Sequence, residues 1–153
     1  MKRIKTYALS VLLLCSFMSR AQDEKSVPVN EPDYNKPKIF DDLPQRMALQ
    51  ATDLEALFRF KTGESVNLTV TKGFILQGTV ASTSDANGVK SVVIRSAQRS
   101  GATFTFTRVS DTDGSFKYIG RMLSRSNGDA LELVHEKGQY TLVKKGLYDL
   151  ISE

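Results

Sequence analysis

The sequence has very few of the side chains that metal sites and reactive centres commonly use. Its 153 residues include a single cysteine, Cys15, and a single histidine, His135. A structural zinc site usually needs four such ligands, so the sequence argues against a transition-metal site built from protein ligands alone. The sequence also lacks a Gly-x-Ser-x-Gly motif and a glycine-rich phosphate loop followed by Lys-Ser or Lys-Thr. We therefore predict no metal, no cofactor and no enzymatic activity.

The N-terminus lacks an apolar run long enough to cross a bilayer, which takes about 20 residues. The apolar segment over residues 8–15 follows a short basic stretch, and Ser19 and Ala21 supply small residues at the −3 and −1 positions of a cleavage site. This pattern is typical of a cleaved bacterial signal peptide, here over residues 1–21. We predict a protein exported to the periplasm or the extracellular space, with no transmembrane span in the mature chain.

Cleavage after residue 21 changes both the thiol content and the charge. The only cysteine leaves with the signal; lipoprotein anchoring through Cys15 is the less favoured alternative, because the bulky Leu14 precedes it. Four of the 21 basic residues also leave, so 17 basic residues remain against 17 acidic ones. The basic character of the whole chain therefore belongs to the signal, and we expect no nucleic-acid partner.

The mature chain divides into a short linker and one domain. Residues 22–40 contain Pro28, Pro32 and Pro37 among polar side chains, and they offer little apolar surface to offset the entropy of ordering. We predict a flexible linker over 22–40 and a single β-rich domain over 41–153. About 130 residues suffice for one core without disulfides.

One helix is predicted at the start of this domain, over residues 42–61. Asp42 and Pro44 suit a helix start, and Gly63 suits its end. Apolar side chains recur between them at three- and four-residue steps, as on one face of a helix. They are Leu43, Met47, Ala51, Leu54, Leu57 and Phe58.

From Ser65 onward the apolar period changes to two, which is typical of strands with one buried face. About seven such segments are separated by turn dipeptides such as Asn87-Gly88 and Lys137-Gly138. Short turns join antiparallel neighbours, so we predict a mainly β fold with a minor α part. It would be an antiparallel meander, either a small barrel or a curled sheet, with a short C-terminal helix near residues 147–151.

The segment Gly63–Val80 follows the predicted helix with a strand, a Lys72-Gly73 turn and a second strand. In this order it resembles the first motif of Sm-like RNA-binding barrels. The resemblance implies a small barrel that binds RNA. It covers fewer than twenty residues, and Asp85 and Asn87 do not stand at the family's spacing for the RNA pocket.

The predicted strands carry an excess of basic residues. Residues 88–145 hold ten basic and five acidic side chains, and a basic sheet face suits an anionic glycan, a lipid headgroup or an acidic protein surface. An aromatic row of equal strand parity, Phe104, Phe106, Phe116 and Tyr118, suits either the core or stacking on sugars. The candidate binding residues are Arg95, Arg108, Lys117, Arg121 and Tyr118.

Three functions remain open at this point. The favoured hypothesis is a non-enzymatic binding or structural module of the cell envelope, with an envelope protein or glycan as partner. The first alternative is a small secreted enzyme that uses His135 and nearby acids. The second is a small barrel that binds an anionic polymer or nucleic acid. The oligomeric state is left open.

Overall fold

Eight strands and one short helix make up the part of the chain that the structure, a computed structural model, describes: residues 33 and 35–150. The predicted signal peptide lies outside these residues. None of the helices within them is long and apolar enough to cross a membrane. The strands are β1 (Arg46–Leu49), β2 (Ser65–Thr71), β3 (Phe74–Ala86), β4 (Val89–Ser96), β5 (Thr103–Ser110), β6 (Phe116–Leu123), β7 (Asp129–Glu136) and β8 (Gln139–Gly146). The helix is α1 (Ala51–Leu57), and a 3-10 turn (Tyr148–Leu150) follows β8.

The strands form one antiparallel sheet in the order β1-β8-β7-β6-β5-β4-β3-β2. The meander predicted from Ser65 onward is confirmed, because each strand from β2 to β8 pairs with the next along the chain. The two edge strands, β1 and β2, come close to one another and nearly close the sheet into a barrel. The Thr71 hydroxyl donates a hydrogen bond of 2.9 Å to the carbonyl oxygen of Ala48 and so bridges them.

Two of the predicted turns have the backbone conformation that their residues favour. Asn87 and Gly88 have φ angles of 51° and 77°, and Lys137 and Gly138 have 51° and 76°. Positive φ at both central residues is what the tight turn between twisted antiparallel strands requires. These dipeptides therefore fix the β3–β4 and β7–β8 hairpins.

The helix predicted over 42–61 is too long. Only Ala51–Leu57 is helical, and Arg46–Leu49 forms β1 instead. Met47 and Leu49 are buried while their neighbours are exposed, which is the alternation of a strand. The edge of β8 provides a partner for this segment, and ladder pairing outweighs the high helix propensity of Arg, Met, Ala and Leu.

The residues before β1 form a strap, residues 36–43, across one end of the barrel. The strap contains the last residues of the segment predicted as linker, 22–40, most of which lies outside the described residues. The Asp129 carboxylate accepts hydrogen bonds from the backbone N–H groups of Ile39, at 2.9 Å, and Phe40, at 2.8 Å. Phe40 is fully buried in the core. Asp129 therefore anchors the strap, and the buried Phe40 side chain, which we call the Phe40 plug, closes this end of the barrel.

A second anchor of the strap is Arg99, in the β4–β5 loop. Its guanidinium donates two hydrogen bonds to the Asp42 carboxylate, at 2.6 and 2.7 Å, and one to the carbonyl oxygen of Ile39. Asp42 was predicted to cap a helix, so this part of the prediction is wrong. The hydrogen bonds from Arg99 hold the pKa of Asp42 below its usual value, although burial opposes this effect.

The helix α1 covers the opposite end of the barrel. Leu54 and Leu57 are fully buried, and the Phe58 ring stacks on Phe106 with 5.0 Å between centroids. The Phe106 ring lies nearly parallel to Phe104 and to Tyr118. Aromatic rings thus fill the interior beneath the helix, as the core interpretation of this row predicted for Phe104, Phe106 and Tyr118 but not for Phe116, which is exposed.

Replacing Asp129 with Asn tests the anchor of the strap. The amide keeps one acceptor but places an NH₂ group against a backbone N–H, so one buried donor loses its partner. We expect a loss of about 1.5–3 kcal/mol in the free energy of unfolding, measured by urea denaturation. Asp41→Asn is the control, since this exposed side chain makes no hydrogen bond among the described residues, and it should change stability by less than about 0.5 kcal/mol. Equal effects of the two substitutions would contradict the anchoring role.

Candidate functional site

The outer face of β4, β5 and β6 is basic and rich in hydroxyl groups. Phe104 and Phe106 of β5 point inward, so the threonines that alternate with them point outward. Residues paired on neighbouring strands share a face of the sheet. Arg95 pairs with Thr103, Arg121 with Thr105, and Lys117 with Val109. Three of the predicted binding residues therefore lie on one outer surface, and its outward positions on these three strands include no carboxylate.

A groove of about 550 Å³ runs over this surface between β5 and β6. A row of threonine hydroxyls forms one side, Ile119 and Leu123 give apolar surface on the other, and the loop 124–126 bounds one end. Its lining residues are Gly101, Thr103, Thr105, Thr107, Ile119, Gly120, Arg121, Leu123, Ser124, Arg125 and Ser126. Arg125 was not among the predicted residues, because no pattern in the sequence placed its loop beside β5.

Arg121 is held in place by a neighbouring carboxylate. Its guanidinium donates two hydrogen bonds to Glu132 Oε1, at 2.9 and 3.2 Å, while Lys145 Nζ lies 2.7 Å from Glu132 Oε2. Burial opposes the ionisation of Glu132, but the hydrogen bonds from Lys145 and Arg121 outweigh it and lower its pKa. Two cations share one carboxylate here, so the cluster keeps a net positive charge beside the groove.

The other basic residues of this surface have no such partner. Arg95, Lys117 and Arg125 are exposed and form no ion pair with the described carboxylates. An exposed guanidinium without a partner can take a ligand carboxylate or sulfate without first breaking an internal ion pair.

Arg108 and Tyr118 do not join this surface but lie together beneath α1. The Glu55 carboxylate binds both: its Oε1 accepts a hydrogen bond from the Tyr118 hydroxyl at 2.5 Å, and its Oε2 accepts one from Arg108 Nη1 at 2.9 Å. Arg108 was predicted as a binding residue of the basic sheet face, but its strand parity, shared with Phe104 and Phe106, puts it on the inner face. Glu55 was missed, because its role depends on where α1 crosses the barrel.

Two phenylalanine rings enclose the Arg108 guanidinium. Its Cζ lies 5.6 Å from the Phe58 ring centroid and 4.3 Å from that of Phe116. Phe116 is 46% exposed, unlike the other members of the aromatic row. Arg108 Nε is buried and has no hydrogen-bond partner among the described residues. We call Glu55, Phe58, Arg108, Phe116 and Tyr118 the helix-end cluster.

His135, the residue on which a catalytic hypothesis rested, is exposed at the end of β7. Its ring stacks on Tyr140 with centroids 4.4 Å apart. The Tyr140 hydroxyl accepts a hydrogen bond of 3.2 Å from the Tyr118 backbone N–H. The pairing of β6 with β7 ends at Arg121 and Glu132. Beyond this pair, the Tyr140 hydroxyl of β8 provides the hydrogen-bond acceptor for the backbone of β6. The structure does not bring His135 into a cleft with an acid and a hydroxyl.

Comparisons with known proteins add no family or function to this geometry. No family model, curated protein or solved structure matches the chain. The segment that resembles Sm-like barrels forms the β2–β3 hairpin after α1, in the expected order of elements. Within the described residues, no group of three or more His, Cys, Asp or Glu side chains is placed to hold a metal ion.

The helix-end cluster makes stability depend on pH in the alkaline range. Burial, the hydrogen bond to Glu55 and the charge of Glu55 raise the pKa of Tyr118 to about 12, from 10.0. A raised pKa means that the folded state holds this proton more tightly, so its contribution is complete below pH 10 and is lost as the pH rises towards 12. We expect this proton to account for up to about 2–3 kcal/mol of lost stability, measured by urea denaturation at pH 8, 10 and 11.5.

The variant Tyr118→Phe isolates this effect. It lacks the titrating hydroxyl, so its stability should fall less over the same pH range than that of the parent protein. Parallel falls in both proteins would show that Tyr118 is not the group responsible.

Proposed function

We propose that the chain is an exported, non-enzymatic binding module of the cell envelope, and that its ligand is an acidic glycan held in the groove on the outer face of β5 and β6. The observation that carries this proposal is the groove itself: unpartnered cations stand beside a row of threonine hydroxyls, with no carboxylate at the outward positions of β4, β5 and β6. The pattern of residues 1–21 supports export.

The packing of the barrel favours an outer rather than an inner site. Many small-molecule sites are enclosed cavities within the fold. Here the Phe40 plug covers one end, α1 covers the other, and stacked rings occupy the interior beneath the helix. The groove needs no rearrangement of this core to admit a long, flexible polymer.

The chemistry of the groove suits a glycan that carries acidic groups. Thr103, Thr105 and Thr107 present hydroxyls about 7 Å apart along the strand, and hydroxyls both donate to and accept from sugar hydroxyls. Arg125 suits carboxylate or sulfate, since a guanidinium without an internal partner binds such groups through paired hydrogen bonds, whereas Arg121, bound to Glu132, adds positive charge beside them. The apolar side of the groove offers contact to the C–H faces of sugar rings.

The same surface is less suited to an anionic membrane. In the groove lining, Ile119 is the one large apolar side chain that is strongly exposed, and the exposed Val89 and Phe116 lie next to the hairpin turns. Asp85 near the end of β3 and Asp111 and Asp113 in the β5–β6 turn would repel a broad layer of anionic headgroups at this end of the sheet. The acidic side chains therefore favour a soluble polymer that approaches the groove from the other end of β5 and β6.

Heparin, a sulfated and carboxylated glycan, is a suitable probe. We expect saturable binding that weakens as salt is added, while neutral dextran is not bound. Arg125→Ala and Arg95→Ala should each weaken heparin binding about three- to tenfold, which is roughly 0.7–1.4 kcal/mol. Isothermal titration calorimetry at two salt concentrations measures both effects.

The matched control is Arg59→Ala, which removes an exposed arginine that follows α1 and lies outside the groove. It should leave heparin affinity within about twofold of the parent. An equal loss in the control and the groove variants would show that only overall charge matters, and would contradict the proposal. Single-stranded DNA bound more tightly than heparin would instead favour a nucleic-acid ligand.

A further inference from the structure

The Arg108 guanidinium in the helix-end cluster uses only part of its hydrogen-bonding capacity. Nη1 donates to Glu55 Oε2, whereas Nε is buried and has no acceptor among the described residues. A buried donor without an acceptor costs about 1–3 kcal/mol, so folded proteins rarely keep one without a reason. Arg99 is a contrast within the same chain, because its Nη1 and Nη2 both bind Asp42.

The free side of Arg108 has a defined chemical preference. In a guanidinium, Nε–H and one N–H of Nη2 point the same way and form a fork that matches the two oxygens of a carboxylate. Glu55 and the buried Phe58 ring hold the group in one orientation, so the fork is fixed before any ligand arrives.

The charges around Arg108 favour a monoanion. Its register partner on β4 is Lys90, which lies 3.4 Å from Asp85, and Arg108 itself is paired with Glu55. These two cations and two carboxylates balance, and Asp111 and Asp113 stand in the turn before Phe116, so the surroundings of the fork disfavour a ligand with two negative charges more than a ligand with one. A dianion such as phosphate would find no second free cation on the inner face of β4, β5 and β6, since Lys117 lies on the outer face.

Phe116 lies against the guanidinium that carries this fork. Its ring covers the guanidinium at 4.3 Å, and it is about half exposed at the first position of β6. An exposed ring gives up little buried area when it turns outward, in contrast to Phe58, which is 8% exposed. Once turned, the Phe116 ring presents an aromatic face next to the fork.

We propose that the helix-end cluster is a second binding site, distinct from the groove, which takes a small aromatic carboxylate. The ligand's carboxylate accepts hydrogen bonds from Nε and Nη2 of Arg108, and its ring stacks on Phe116 after that side chain turns outward. This inference does not depend on the glycan proposal, since it uses none of the groove residues.

The probe is 3-phenylpropanoate, added to the purified protein and followed by NMR chemical shifts of the backbone amides. Two ligands serve as controls: 3-phenylpropanamide lacks the charge, and acetate lacks the ring. We expect saturable binding of 3-phenylpropanoate, at least tenfold tighter than that of either control ligand. Affinity for the amide or for acetate equal to that for 3-phenylpropanoate would overturn the assignment, as would the absence of saturable binding.

Two variants assign the binding to the named residues. Arg108→Lys keeps the charge but lacks the fork, so it should bind 3-phenylpropanoate at least tenfold more weakly. Phe116→Ala replaces a half-exposed side chain, and it should erase the advantage of 3-phenylpropanoate over acetate. Backbone amide spectra that match the parent's confirm that each variant is folded.

Arg125→Ala is the control for the groove and should leave 3-phenylpropanoate affinity unchanged. Undiminished binding by Arg108→Lys would overturn the site. Because heparin binding is measured separately, failure here leaves the glycan proposal standing, and failure of heparin binding leaves this one standing.

Discussion

The pairing of β1 with β8 is the interaction on which the rest of the structure depends. This ladder of four residues brings the two edges of the sheet close together. It also fixes where the chain enters and leaves, because the strap precedes β1 and α1 follows it almost directly. Both covers of the barrel, the Phe40 plug and the Leu54 and Leu57 face of α1, are thus positioned by one short strand.

Closure of the barrel divides the basic residues into two populations. Side chains alternate between the inner and outer faces along every strand, so parity alone decides which environment an arginine meets. Arg95 and Arg121 fall on the outer face beside the threonines, whereas Arg108 falls inside and needs Glu55 as a partner. The excess of basic residues over 88–145 therefore does not form a single basic surface.

The period-two pattern and the turn dipeptides were sufficient to predict β2 to β8 and their meander. They were not sufficient for β1, because the spacing of Leu43, Met47 and Ala51 also fits a helix and only the open edge of β8 decides between the two structures. The strap was hidden for a similar reason: its anchors, Asp129 and Arg99, lie more than fifty residues away in sequence.

The candidate residues were predicted as a set, but their grouping required the fold. Parity grouped Tyr118 with the aromatic row but was not applied to Arg108, and nothing in the sequence linked either residue to Glu55, which reaches them only because α1 crosses this end of the barrel. Arg125 joins the groove through a loop, and loops carry no period from which a face could be inferred.

The two environments differ in how salt acts on them. Ions screen exposed charges over about 8–10 Å at physiological ionic strength, and they act much less on partly buried pairs. Arg125 stands in the first situation and Arg108, between two aromatic rings, in the second. Added salt should therefore weaken an interaction at the groove while leaving one at the helix-end cluster nearly unchanged. Binding measured at several salt concentrations therefore distinguishes the groove from the helix-end cluster without any mutation, because Arg125 is exposed and Arg108 lies between two rings.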